Sequence, residues 1–141
     1  MPSFSISVVD EATLSLDGFS NRLSDLRTAN EIAGEYFLGQ IDERFRTETD
    51  PDRRPWRPLS TRTVAQKRAE GRILKILQKT GFMRSTANYN ATSSKVTIGL
   101  SASYADRHQR GIGVPQRRIL GVNRDDIANL QEIYTDYVFD E

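Results

Sequence analysis

The sequence predicts an α+β fold with a mainly antiparallel sheet, a long amino-terminal helix and a carboxy-terminal helix. Three observations predict it: an alternating run near the start, a helical period that follows it, and a second pair of alternating runs in the middle of the chain. At 141 residues, 37% of them apolar, the chain has the length of one domain and enough apolar material for a modest core. We therefore expect a single domain over residues 1–141 with one long loop at about 47–59.

Each element follows from its own pattern. Phe4, Ile6 and Val8 alternate with Ser3, Ser5 and Ser7, as in a half-buried strand. Leu23, Leu26, Ala33, Phe37 and Ile41 then fall at helical spacing, with Ile32, Tyr36 and Phe45 widening the stripe. An amphipathic helix is expected from about Asp17 to Arg46, with Asp25, Glu31, Glu35, Asp42 and Glu43 on its outer face. Gly34 and Gly39 weaken it locally by about 1 kcal/mol each. From Thr47 to Ser60 the prolines and the missing apolar period predict an irregular loop with few cohesive contacts of its own, and hence a mobile one. Ser60 as an N-cap and Gly71 as a stop bracket a short basic helix carrying Arg62, Lys67 and Arg68. Ile73, Leu74, Ile76 and Leu77 are expected to form a buried cluster ahead of a break at Thr80-Gly81.

Tyr89 and Ala91, then Val96, Ile98 and Leu100, alternate on either side of Ser93-Ser94 and predict a β-hairpin. Tyr104 to Arg110 reads as a short helix or turn closed by Gly111, and Arg118 to Leu120 as a brief strand. Asn123 with Asp126 three residues on marks a helix start, and Ile127, Leu130, Ile133, Tyr134 and Tyr137 supply that helix with an apolar face.

Composition removes several kinds of chemistry. Without cysteine there is no disulfide scaffold, zinc finger, iron–sulfur cluster or thiol nucleophile, and His108 alone cannot build a multi-histidine metal site. Ser101 or Ser103 with His108 and Asp106 lie close in sequence, but the strained Gly-x-Ser-x-Gly turn is missing. Gly111-Ile112-Gly113 lacks the third glycine and the Lys-Ser/Thr ending that a phosphate loop needs. The acids sit on predicted solvated faces, where nothing raises a carboxyl pKa. We expect no enzyme, no cofactor and no metal. Apolar runs fall far short of the roughly 18 residues of a membrane span, and Met1 to Asp10 has no basic start of a signal peptide, so a soluble, intracellular chain is expected.

The net charge of +1 conceals a segregation along the chain. Residues 1–43 carry 2 basic and 8 acidic side chains, 44–124 carry 18 and 5, and 125–141 carry 0 and 6, giving −6, +13 and −6. Such a middle binds a polyanion, or draws copies of the chain together end to face, unless folding mixes the charges again. Arg53, Arg54 and Arg57 surround Trp56 and combine guanidinium groups with an indole. With Arg62, Arg117 and Arg118 they are the candidate interface residues. The alternative is that Trp56 folds back onto its own domain and pins the loop.

An ordered set of residues resembles the phage virion morphogenesis family, also called tail completion or neck proteins. It comprises Phe45, then Pro55-Trp56-Arg57-Pro58-Leu59-Ser60 with Thr63 and Lys67, then Ile73-Leu74, Thr80-Gly81 and Ser85. Val96 to Gly99, Tyr104-Ala105, His108-Gln109, Gly111 and Arg117-Arg118-Ile119-Leu120-Gly121 follow, so roughly residues 30–137 are covered. The family's loop usually has a glycine before the tryptophan, where this chain has Arg53-Arg54-Pro55. The resemblance implies a structural virion protein for tail completion or head–tail joining, acting as a homo-oligomeric ring in the virion and monomeric when free. It also implies partners among the tail tube, tail terminator, and connector or head-completion proteins, with DNA nearby, no membrane, and assembly in the host cytoplasm. The alternative from another class is a nucleic-acid-binding module that uses the basic middle.

Overall fold

Alternating runs become strands, and the helical stripe becomes a helix laid across them. The computed structural model describes residues 2–7, 22–78 and 81–139. Its elements are β1 (Ser3–Ser7), α1 (Arg27–Thr47), α2 (Thr61–Ala69), α3 (Phe82–Ser85), β2 (Ala87–Ala91), β3 (Lys95–Leu100), α4 (Ala105–Arg110) and α5 (Arg124–Phe139). This is the expected α+β class.

The strands form an antiparallel sheet in the order β1-β3-β2. Its register sets Phe4 and Tyr89 on either side of Ile98, and Ile6 and Ala91 on either side of Val96, so one face is continuously apolar. The residues between point away, where the Ser5 and Thr97 hydroxyls meet at 2.8 Å. Ala33, Phe37, Ile41 and Phe45 of α1 are buried on the apolar face, with Phe37 edge-on to Phe4 at 5.0 Å. Gly34 lies against Tyr89, and a Cβ there would stand 2.4 Å from the ring. What reads in the sequence as a weak point of the helix is the place where the helix touches the sheet.

The helix begins later than its stripe suggests. Arg22–Ser24 are helical, but Asp25 and Leu26 are not, and α1 starts at Arg27. The Leu26 amide donates to the Ser93 carbonyl at the hairpin turn (2.9 Å), and Asp25 accepts from the Arg27 amide (3.1 Å). A tertiary partner for one amide therefore interrupts the run. The first part of the predicted helix, through Asn21, and Val8 of the predicted strand lie outside the described residues. Ile32, assigned to the apolar stripe, is 48% exposed, and Ile127, assigned to the apolar face of α5, is 50% exposed.

Capping signals place α2 and α5 correctly. Ser60 Oγ accepts from the Thr63 amide at 3.1 Å. Asn123 and Asp126 cap each other, the Asp126 amide donating to Asn123 Oδ1 (2.8 Å) and the Asn123 amide to Asp126 Oδ2 (2.9 Å). α5 runs antiparallel to α1, since Tyr36 donates to Asp126, Tyr134 to Asn30, and Tyr137 to the Asp25 carbonyl.

Two further expectations need correction. In the predicted buried cluster only Ile76 is buried, while Ile73 and Leu74 are exposed, because the segment runs over the surface after α2. Arg118 to Leu120 is not a strand: the Ile119 and Leu120 amides donate to the Gln109 side chain (2.8 and 3.0 Å), which takes the place of a neighbouring strand.

Candidate functional site

The loop after α1 is ordered by its own residues, contrary to the expectation of few contacts. Asp50 Oδ1 accepts from the amides of Asp52 (2.8 Å) and Arg54 (2.9 Å), while the Asp50 amide donates to the Arg54 carbonyl (2.8 Å). Thr49 bridges to Pro55, and the Trp56 amide donates to the Glu48 carbonyl at 2.8 Å. Trp56 itself is 4% exposed, edge-on to Phe45 at 5.5 Å, with Nε1 donating to the Arg118 carbonyl at 2.8 Å. The pinning alternative describes this tryptophan. Its aromatic burial and satisfied N–H fix the loop to the core.

Arg53 has φ +64°, in the left-handed region that favours glycine. An arginine thus holds a backbone conformation here that glycine adopts more readily. Its side chain pairs with Asp125 at the start of α5.

The structure sorts the remaining candidate arginines into different roles. Arg117 is buried and donates to the carbonyls of Arg57 (2.8 Å) and Pro58 (3.1 Å), so it fastens the far end of the loop. Burial, and secondly Arg57, hold its guanidinium below the ordinary range. Arg118 pairs with Asp52 at 3.4 Å. Arg54, Arg57 and Arg62 are exposed, and their side chains make no ion pair among the described residues. These three remain available to a partner.

A polar centre that sequence reading did not find joins the loop to both helices. Arg44 is 5% exposed and donates to the carbonyls of Ile119 (2.6 Å) and Gly121 (3.1 Å) and to Asp126 (3.2 Å). Tyr36 donates to Asp126 at 2.6 Å, and Asn123 Nδ2 donates to the Pro51 carbonyl at 2.7 Å. Removing one member of such a buried ion pair typically costs about 3–5 kcal/mol, because the other charge is left uncompensated. The only sequence signal was Asp126 as a cap, since a helical arginine ordinarily faces water.

A groove of about 390 Å³ opens between α2, α3 and α4. Leu59, Leu77, Phe82, Met83 and Tyr104 line it with apolar surface, and Lys67, His108 and Arg117 add basic groups. Lys67 is 6% exposed and donates to the Lys75 carbonyl at 2.6 Å. His108 Nδ1 is buried without a hydrogen-bond partner among the described residues. Burial first, then Arg117 and Arg107, push the imidazole below its ordinary pKa.

The Ser-His-Asp set is not assembled: Asp106 pairs with Arg110, and Ser101 Oγ accepts from Asn88 at 2.6 Å. Among the described residues no group of three or more His, Cys, Asp or Glu is placed to hold a metal ion. No described helix is long and apolar enough to cross a membrane. Gly111 closes α4 with φ +74°, which is the use of that glycine pair's first member.

Charged side chains here mostly fasten loops and helix ends, and what they leave outside is a basic groove with exposed arginines near it. The chain belongs to the phage virion morphogenesis family, whose model matches residues 8–138, and its role is in phage virion assembly. No curated protein and no solved structure matches it.

Proposed function

We propose that this chain completes the phage tail or joins tail to head, as one subunit of a ring that meets tail tube, tail terminator, or connector and head-completion proteins. The observation that carries the reading is the separation of unpaired charge across the fold. Exposed Arg54, Arg57 and Arg62 belong to the loop and α2, whereas exposed Glu31, Glu35, Glu132 and Asp136 lie along the paired helices α1 and α5, whose exposed Arg27 and Arg124 stand at their first positions. A subunit with unlike faces favours heterologous contacts, which close into rings, over like-to-like pairing.

Electron microscopy of particles made without this chain tests the role. Separate heads and tails, or tails with an unfinished end, are expected; normal virions would refute it. The exposed arginines also favour a second reading, DNA binding. Free subunits would then show an affinity for duplex DNA that falls steeply with salt, with a slope set by the phosphates neutralised.

A further inference from the structure

We propose that the groove between α2, α3 and α4 is the socket for the Ile32 face of α1 from a second copy of this chain. The inference rests on the ring reading above and supplies its contact.

The socket asks for a guest of mixed character. Its walls are apolar, but Lys67 and Arg117 keep positive charge beside them, and His108 Nδ1 is buried with no partner among the described residues. A purely aliphatic guest offers those cations no counter-charge. A guest that carries carboxylates beside an aliphatic side chain answers both the walls and the bases.

Ile32 is such a group. It is 48% exposed on α1, with Glu31 beside it and Glu35 one turn on. Glu31 makes no ion pair among the described residues, and Glu35 accepts the Tyr89 hydroxyl at 3.0 Å. Like charges at this spacing on a helix repel, so the arrangement costs stability until cations approach it. The other exposed aliphatics are less suited. Ile73 and Leu74 lie between Arg72 and Lys75, Ile112 and Val122 have no acid within two residues, and the acids beside Ile127 are already committed, Asp125 to Arg53 and Asp126 to Arg44.

Geometry makes the contact intermolecular. Gln78 in the groove wall donates to the Phe45 carbonyl near the far end of α1 at 3.0 Å. At about 1.5 Å of rise per residue, Ile32 stands about 20 Å from Phe45 along a rigid helix. Knob and socket therefore cannot meet within one chain. Each copy offers one of each, which is the head-to-tail pattern that closes into a ring or continues as a filament.

The chain has no cysteine, so introduced thiols report the contact directly. Ile32→Cys and Tyr104→Cys, both at exposed positions, are made as separate full-length variants, mixed at millimolar concentration and mildly oxidised. A covalent pair of unlike chains is expected, with none from Ile32→Cys alone, and Glu31→Lys on the Ile32→Cys chain should cut the yield at least fivefold. Native mass spectrometry reads the assembly in parallel. The same oxidation is applied to tails assembled from both variants: rings there without the cross-link overturn the socket and leave the ring reading standing, cross-linked open chains there uphold the socket and overturn the ring, and neither product there overturns both. Cross-linking of Tyr104→Cys to Phe139→Cys instead of Ile32→Cys would give the groove to the end of α5 and overturn the proposal. So would protection of Tyr104→Cys from a maleimide by duplex DNA but not by a second copy.

Discussion

At the scale of residues, the side chains with the most conspicuous chemistry are spent on holding the chain. Trp56 and Arg117 fasten the carboxy end of one loop at residues 56–58, Asn123 holds that loop's Pro51 carbonyl, and Arg44 with Asp126 joins α1 to α5. His108 is the exception, a base at a groove with one nitrogen unanswered. Because burial, Arg117 and Arg107 depress its pKa in the fold, the unfolded chain binds this proton more readily. Its contribution is fully present above the unfolded value of about 6.5 and is lost as pH falls from there through the folded value. Melting temperature should therefore drop more between about pH 7 and pH 5 for the wild type than for His108→Gln, if unfolding takes up this proton. Equal drops would show an imidazole that titrates alike in both states.

At the scale of elements, two glycines of α1 make opposite demands although they look alike in the sequence. Gly34 has no room for a Cβ, which would enter the Tyr89 ring, whereas nothing lies within 4 Å of a Cβ at Gly39. Gly39→Ala should stabilise by about 0.5–1 kcal/mol through helix propensity and a less free unfolded chain. Gly34→Ala should destabilise by about 1–3 kcal/mol, since the helix must move off the sheet or Tyr89 must leave its place. Urea unfolding of the two variants checks the difference in sign. Two changes of the same sign would mean that helix and sheet are less closely joined than the distance requires.

At the scale of the whole molecule, folding cancels part of the charge segregation and leaves part of it outside. Arg44–Asp126, Arg46–Glu43, Arg53–Asp125 and Arg84–Asp42 each join the basic middle to an acidic end. The cations left exposed on the loop and α2 are the ones the proposed docking would use. Each exposed intermolecular pair contributes about 0.2–1 kcal/mol, so several must act together. Docking onto tails should weaken between about 0.1 M and 1 M salt, as the Debye length falls from about 10 Å to about 3 Å. Reversing Arg54, Arg57 and Arg62 to Glu should impair docking, and reversing acids on the partner face should restore part of it. A sedimentation assay indifferent to both salt and reversal would assign docking to apolar packing alone.

The sequence by itself determined the elements whose signals are local. Alternation placed Phe4, Ile6, Tyr89, Val96 and Ile98 on one sheet face, and the caps at Ser60 and Asn123 set the starts of α2 and α5. The ordered run around Pro55-Trp56-Arg57 also pointed to the family that the chain belongs to. Only the tertiary structure decided which arginines face outward, where α1 begins and what Gly34 is for. Those outcomes depend on partners distant in the chain: the Ser93 carbonyl for Leu26, the Arg118 carbonyl for Trp56, Asp126 for Arg44 and the Tyr89 ring for Gly34. Periodicity records which side of an element is apolar. It carries no record of which remote group satisfies a buried charge or fills the space beside a missing side chain, and in this chain those remote groups determine what the surface offers to a neighbour.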